Sequence, residues 1–570
     1  MRSLTPTRCC ECRALLTRRC SSSKWRGWRL PKLPFNAPPR CNCNCVDARG
    51  RQVAECANDH QLCLPSPTRP SLRAPNSLAL EYRPAYCIFS PANVGEHKGR
   101  PIPPAPTHTA FFRSALPAPH AQAVNTCLRT IYGTSYTSSN AASNVTAIAF
   151  AGTVLGQLVF GYTSDHYSRK WSLLVSTIIL IVFAALGAGA YGAGGTLGGL
   201  IAALTAYRFL LGIGIGGEYP AGSVGCAEST GELKEGHRNR WFCLFTNTQI
   251  DFGFVMGALV PTIITRIAPD NLGLVWRLSL GLGVVPPLSL LYLRIKLQEP
   301  ESFSRESFTK VKTPYWLALK FYGPRLALTA GIWFIYDFLA YAFGLFSSVW
   351  ISVLRPEAAL WETFGFSTLV NFFYVPGAIL GSFTSDWMGP RRALMVFVAA
   401  QGAVGFIMSG CYEYLKMPQN IAGFVVVYGI FLALGEMGPG DNIGLVASKS
   451  SATGIRGQYY AIAAACGKIG AFIGQYIFPY IQNAGGGADT IRGGQYPFFV
   501  ASSLCFLSAF LVWFLPTINQ DTIEKEDTRF REYLEAHGFD TSQMGMQGWQ
   551  GTQDVASANA EQSRGDEVSR

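Results

Sequence analysis

The sequence predicts an all-α membrane protein built as two pseudo-symmetric helical bundles, and three observations carry that expectation. The 570 residues are 49% hydrophobic and only 14% charged, too few charges to solubilise an ordinary globular chain of this size. Apolar runs recur between Asn144 and Ile518, each about 20 residues long, the length that crosses roughly 30 Å of hydrocarbon. Third, Gly156…Thr163-Ser164-Asp165…Arg169-Lys170 returns 221 residues later as Gly377…Thr384-Ser385-Asp386…Arg391-Arg392, and Gly217-Glu218 returns 218 residues later as Gly435-Glu436. Such a duplication puts a binding site near the membrane midplane, between the halves.

Residues 1–129 stand apart. They hold 19 Lys/Arg against 6 Asp/Glu, a charge of +13 against +12 for the whole chain, together with 11 of the 16 cysteines and 17 of the 33 prolines. The remainder is close to neutral, so the basic balance gives no sign of a nucleic-acid partner. Cys9, Cys10, Cys12, Cys41, Cys43 and Cys45 fit none of the paired spacings of zinc sites. High charge and proline predict disorder; a gene-model error upstream of Gln122 would equally account for the cysteines and the charge.

Eleven spans are expected, near 145–164, 171–192, 199–224, 242–265, 276–294, 326–350, 364–384, 393–412, 421–443, 458–481 and 497–517. One set of loops carries fifteen Lys/Arg, among them Arg169, Lys170, Arg238, Arg294, Arg391, Arg392 and Arg456; the other carries only Arg266, Arg277, Arg355, Lys416 and Arg492. The positive-inside rule makes the first set and the C-terminal tail cytoplasmic. The expected parts are therefore an N-terminal bundle at 130–294, a cytoplasmic linker at 295–325, a C-terminal bundle at 326–518 and a disordered tail at 519–570. Gly152-x₃-Gly156, Gly212-x₃-Gly216, Gly377-x₃-Gly381 and Gly470-x₃-Gly474 are read as close helix contacts. GIGIGG within Tyr207–Gly222 has no preceding strand and is not a nucleotide loop.

GQLVFGYTSDHYSRK, from Gly156, resembles the signature loop of the major facilitator superfamily, with His166 and Ser168 departing from the usual pattern. RFLLGIGIGGEYPAG and GKIGA resemble its phosphate:proton symporter branch. EYPAGSVGCAESTGELKEGHRNRWF, TNTQIDFGF, WFIYDF and GPGDNIGLVASKSSATGIRGQYYAIAAACGKIGAF resemble fungal glycerophosphoinositol (glycerophosphodiester) permeases, over about Gln122–Leu515. That family has twelve spans where eleven are visible here. Gln122–Gly133 resembles the segment after its first helix.

Ionisable residues at membrane depth mark function by default. Lys468 is the candidate to receive a phosphate oxygen as a point charge. Asp337 and Tyr341 lie one helical turn apart and share a face. The resemblance implies that Lys468, Tyr341, Tyr219, Gln249 and Asn442 meet substrate and that Asp337 carries protons, with Glu218 and Asp251 as further proton carriers. Asp165 with Arg169 and Lys170, and Asp386 with Arg391 and Arg392, are expected to form conformational latches. No nucleophile–base pair, metal-ligand set or cofactor motif stands out, which argues against an enzyme. The reading is proton-coupled uptake of a small anionic phosphodiester across the plasma membrane. An inorganic phosphate symporter, or a nutrient receptor on the same fold, are the alternatives.

Overall fold

The computed structural model describes residues 45–46, 52–54, 117–137 and 141–545, apart from 232, 234–235, 298, 355–356, 488 and 543. In the unit Met1–Ser90, β1 (Cys45–Val46) and β2 (Gln52–Ala54) pair antiparallel. The cysteine clusters and proline-rich sequence around them, on which disorder was expected, lie outside the described residues, as do residues 546–570.

The second unit is helical. Eleven helical segments among the described residues are long and apolar enough to span a membrane, and each of the eleven expected spans falls on one of them. The longer helices are α1 (Pro117–Tyr132), α2 (Ala141–His166), α3 (Arg169–Ala188), α4 (Leu197–Glu218), α5 (Val224–Gly231), α6 (Arg238–Phe245), α7 (Asn247–Ile267), α8 (Leu272–Leu282) and α9 (Val285–Ile295). They continue with α10 (Tyr315–Leu354), α11 (Leu360–Phe372), α12 (Tyr374–Trp387), α13 (Pro390–Gly410), α14 (Ile421–Gly435), α15 (Asp441–Lys449), α16 (Arg456–Ala484), α17 (Ile491–Val512) and α18 (Thr522–Ala536).

Glycine sets how closely these helices pack. A methyl group on Gly152 would collide with the carbonyl oxygen of Phe209, and one on Gly212 with that of Ala149, so α2 and α4 interlock backbone to backbone. α10 and α16 meet in the same way, Gly470 facing the carbonyl of Phe334. Apolar side chains such as Leu158, Ile178, Ile263, Leu380 and Phe510 point outward and are exposed, as helices in lipid require. Trp171, Trp316, Trp387 and Trp513 are all exposed at helix ends on the side where the tail lies, the aromatic belt of a membrane boundary.

Two features break the regular helices, at corresponding places in the halves. Tyr219–Ser223 and Glu436–Gly440 are single π turns, each with an internal proline that cannot donate the normal bond. They are 217 residues apart, one fewer than the Gly-Glu repeat.

Three expectations on organisation change. The segment 1–129, expected to be disordered or mispredicted, ends in α1, whose inner face packs Ala123, Val124, Cys127 and Leu128 on Leu200, Leu204, Trp276 and Leu280 while its last turn is exposed; at 16 residues α1 reaches about 24 Å, short of a full span. The linker is shorter than 295–325, because α10 begins at Tyr315. The tail is not disordered throughout: α18 buries Phe530 and Leu534 against Phe308, Tyr322 and Tyr459. The short charged amphipathic piece read in the sequence around 527–537 lies largely in this helix, and its apolar stripe is what packs.

Candidate functional site

A cavity lies between the halves, lined by residues of both. Two helices each line it with a single face. α7 presents Asn247, Ile250, Asp251 and Phe254, and α10 presents Trp333, Tyr336, Asp337, Ala340, Tyr341 and Gly344. These are i, i+3, i+4 and i+7 patterns, a single stripe along each helix. The π turns add Tyr219 and Ser223 from one half and Glu436 and Gly440 from the other.

Lys468, on α16, is 3% exposed. Its ammonium donates to Asp337 Oδ2 at 2.8 Å and to the Tyr341 hydroxyl at 2.8 Å, and it lies 4.9 Å from the centre of the Tyr219 ring. Gly467 makes room for this arrangement, since a methyl there would sit 2.5 Å from Trp333 Cδ1 and 2.9 Å from Asp337 Oδ2. Phe150 and Phe254 meet the Tyr341 ring edge to face, with centroids 5.0 and 6.1 Å away, and Phe254 lies tilted against Tyr374 at 5.7 Å.

A second polar group lies on the same cavity. The Asn247 amide donates to Glu436 Oε2 at 2.9 Å and to Asp441 Oδ1 at 3.0 Å, and the Tyr336 hydroxyl donates to Glu436 Oε1 at 3.0 Å. Asp251, one turn from Asn247, is 1% exposed, and among the described residues neither of its carboxylate oxygens has a hydrogen-bond partner. Among the described residues no lysine or arginine pairs with Asp251, Glu436 or Asp441.

The cavity thus brings together Lys468, Asp337, Tyr341, Tyr219 and Asp251 from the expected set and leaves three others outside. Glu218 is turned away. Its carboxylate is held by Arg294, whose other guanidinium bonds reach Leu173 O and Thr177, and by the Ser176 hydroxyl at 2.9 Å. This buried pair pins α9 to α3 and α4. Gln249 donates its amide to Leu244 O at 3.4 Å on the face opposite Asp251. Asn442 accepts from Ser385 at 2.8 Å and donates to Gly438 O at 2.8 Å, bracing the π turn while Asp441 faces the cavity. Asn247, Tyr336 and Tyr374 were not singled out in the sequence. Asn247 stands four residues before Asp251 and Tyr336 directly before Asp337, spacings that could have found both.

The signature loops meet at the tail side. Asp165 accepts the backbone N–H groups of Gly457 at 2.9 Å and Gln458 at 2.7 Å, so a carboxylate of the first half caps the N-terminus of α16 in the second. Asp386 accepts the N–H of Arg240 at 3.2 Å and the Gln520 amide at 3.0 Å, capping α6 in the first half. The two caps are related by the duplication. Arg169 binds Asp165 at 2.8 Å, Glu228 at 3.0 Å and Thr453 O at 3.2 Å, and Glu228 binds Arg456 at 3.0 Å. Lys170 contributes its backbone N–H, to Glu299 at 3.1 Å. The second loop differs from expectation: Arg391 bonds to Trp513 O and to Thr517 at 3.5 Å, and Arg392 is exposed, so neither arginine pairs with Asp386. The tail joins the network, Asp527 accepting from Thr453 N at 2.5 Å and Oγ1 at 2.7 Å and facing Arg456 at 3.5 Å. Burial pushes the Asp527 carboxyl above its ordinary value, against the opposing pull of Arg456 and Thr453.

The chain matches the family model described as sugar (and other) transporter at residues 109–310 and 304–530. A glycerophosphocholine permease of Candida albicans is 49% identical over 430 residues, 75% of this chain and 80% of that protein. A major glycerophosphoinositol permease of the same organism is 48% identical over 74% of this chain and 79% of its own length. A solved proton:xylose symporter of the major facilitator superfamily superposes with a TM-score of 0.58 at 18% identity, over 75% of this chain and 97% of the symporter, a likeness of fold. The paired bundles, the reciprocal caps and these sequence matches agree: the chain belongs to the sugar (and other) transporter family of the major facilitator superfamily, in the branch that holds these glycerophosphodiester permeases.

Proposed function

We propose that this protein takes up glycerophosphodiesters, glycerophosphoinositol among them, across the plasma membrane together with protons, by alternating access to the central cavity, with its tail in the cytoplasm. The observation that carries the reading is Lys468, a buried ammonium on the cavity wall held by Asp337 and Tyr341. An ammonium that can exchange one oxygen anion for another suits a phosphodiester. When Asp337 takes up a proton it no longer competes for Lys468, and the ammonium turns to the phosphate. When the proton leaves, Asp337 reclaims Lys468 and the substrate is released. Asp251 is a second cavity carboxylate able to carry a proton.

Charge arithmetic favours the coupling. A glycerophosphodiester whose headgroup is neutral carries one negative charge, and bringing it inward against an inside-negative potential costs about 2.3 kcal/mol per 100 mV. One proton cancels that cost and a second makes uptake downhill. The test is uptake of labelled glycerophosphoinositol, glycerophosphocholine and inorganic phosphate by cells expressing the protein, with external pH varied. Saturable uptake of a glycerophosphodiester, faster at acid pH, is expected; saturable uptake of phosphate alone would overturn the reading.

A further inference from the structure

Phosphate binding at Lys468 and proton uptake at Asp337 leave two groups on the cavity wall without a task. Glu436 and Asp441 share a single amide, since Asn247 Nδ2 donates to Glu436 Oε2 at 2.9 Å and to Asp441 Oδ1 at 3.0 Å. Glu436 is bonded at both oxygens, the Tyr336 hydroxyl donating to Oε1 at 3.0 Å. Asp441 is bonded at one; its Oδ2 is buried and has no partner among the described residues. Two glycines make room for the pair: a methyl group on Gly440 would collide with Glu436 Oε2, and one on Gly381 with Asp441 Oδ2. Gly381, expected only as a helix contact, is therefore also space for a carboxyl group. Asp251 and Asp337 face the pair across the cavity with the phenols of Tyr336 and Tyr374, and Lys468 is the one cation among the described residues of the lining. That cation is bonded to Asp337.

The pair is arranged from the middle of the cavity toward the tail side. Tyr336 directly precedes Asp337 on α10, so its bond places Glu436 beside the proposed proton carrier. Asp441 stands five residues further along, where α15 sets out for the tail side. The far end of α15, Lys449, is eight residues or about 12 Å away and donates to Asn239 Oδ1 at 2.7 Å, next to the Arg238 that meets Asp521 of the tail. At the seam itself the Cys243 thiol donates to Asp441 O at 3.5 Å.

We infer that Glu436 and Asp441 hold one proton between them and form the exit by which the proton taken up at Asp337 reaches the tail side. The inference rests on the proposed function and deepens it with a release route. Two carboxylates tied to one amide, buried and without a cation of their own, repel each other too strongly for both to be ionised. One proton for two groups fits the bonds: Glu436 is the anion, accepting at both oxygens, and Asp441 is the acid, its proton on Oδ2. When the halves part on the tail side, Asp441 gives that proton to water and becomes a carboxylate. Glu436 then takes the proton of Asp337, directly or through a cavity water, and Asp337 reclaims Lys468. Transfer from Glu436 to Asp441 restores the pair. One proton has left Asp337 and one has reached the cytoplasm, with water as the only other reactant. Chains of carboxyl groups serve as proton relays in membrane pumps and transporters for the same reason.

The experiment compares two rates for the full chain reconstituted in lipid vesicles. Net uptake of labelled glycerophosphoinositol, driven by an acid exterior, requires proton release inside; exchange of labelled for unlabelled substrate at equal pH does not. Glu436→Gln is expected to lower the ratio of net uptake to exchange at least tenfold, and Asp441→Asn to do the same, so that either variant suffices if the other fails to fold. The final accumulation is expected to stay within twofold of wild type, because Asp337 still binds the coupling proton and an exit route sets the rate without moving the equilibrium. An unchanged ratio, or net uptake and exchange that fall together, overturns the relay. So does lost accumulation with exchange intact, which would make the pair a coupling site like Asp337. A wild-type protein that carries no glycerophosphodiester, or whose uptake ignores external pH, overturns the function and the relay together; any of the earlier outcomes beside proton-coupled wild-type uptake overturns the relay and leaves the function standing.

Discussion

Lys468 has one bond to a carboxylate and one to a phenol, and in the proposed cycle the carboxylate is the partner a phosphate would replace. Lys468→Gln removes the charge while keeping a side chain of similar reach. It is expected to raise the KM for glycerophosphodiester about 100-fold or more in protein that still reaches the membrane, and an unchanged KM would remove Lys468 from the phosphate site. Asp337→Asn separates binding from coupling. Substrate exchange across the membrane is expected to persist while accumulation driven by a pH gradient disappears; accumulation that still follows the gradient would show that another group carries the proton. These residues were legible in the sequence because an ionisable group in an apolar helix is conspicuous and an i, i+4 pair needs no tertiary information. Glu218 and Asn442 misled for one physical reason. A π turn inserts an extra residue and changes the register between the helix before it and the helix after it by about 100°; Glu218 immediately precedes one such turn and Asn442 lies two residues past the other. Aligning Glu218 with Glu436 by the 218-residue repeat is off by one; the π turns, 217 apart, pair Tyr219 with Glu436, and those are the two that face the cavity.

At the scale of elements, the Glu218–Arg294 pair joins α9 to α3 and α4 with both side chains at 1% exposure or less. Breaking a buried pair from one side strands the other charge, at about 3–5 kcal/mol, whereas replacing both with apolar groups of similar volume can be nearly neutral. Arg294→Ala is therefore expected to lower the melting temperature of purified protein sharply, and Glu218→Leu with Arg294→Leu to restore much of the loss. A proton-coupling role for Glu218 would instead show as lost gradient-driven uptake in the double variant. The spans themselves were readable because hydrophobic length is a property of the local sequence. The tail's amphipathic piece was readable too, but its docking was not, because that order comes from partners far away in sequence: Arg325 at 3.0 Å from Glu526, Arg531 at 2.5 Å from Glu306, and Arg238 at 2.5 Å from Asp521.

Across the whole molecule, each half caps a helix of the other on the tail side, and the proposal of alternating access makes these caps the latch of the closed state. Asp165 holds α16 through two N–H groups and is tied by Arg169 to Glu228 and Arg456, while Asp386 holds α6 through one N–H with Arg240 Nε 3.9 Å away. These bonds exist only while the halves meet on this side, so they weight one state of the alternating-access equilibrium and not the other. Cys243 is a built-in reporter of that state. It is fully buried at the seam, 3.9 Å from the Ser385 hydroxyl and 3.5 Å from Asp441 O, and separation of the halves there is expected to expose it. Each charged hydrogen bond contributes about 1.5–3 kcal/mol, enough to shift the equilibrium roughly 10- to 150-fold. Asp165→Asn is expected to speed alkylation of Cys243 by a maleimide, read by mass spectrometry, by at least tenfold. Asp386→Asn should do so by less, since its bonds are fewer and more exposed. Because both act on one global equilibrium, their effects should add in free energy in the double variant until the closed state is no longer dominant. If neither variant changes the alkylation rate, the reciprocal caps hold helix ends in place without holding the halves together.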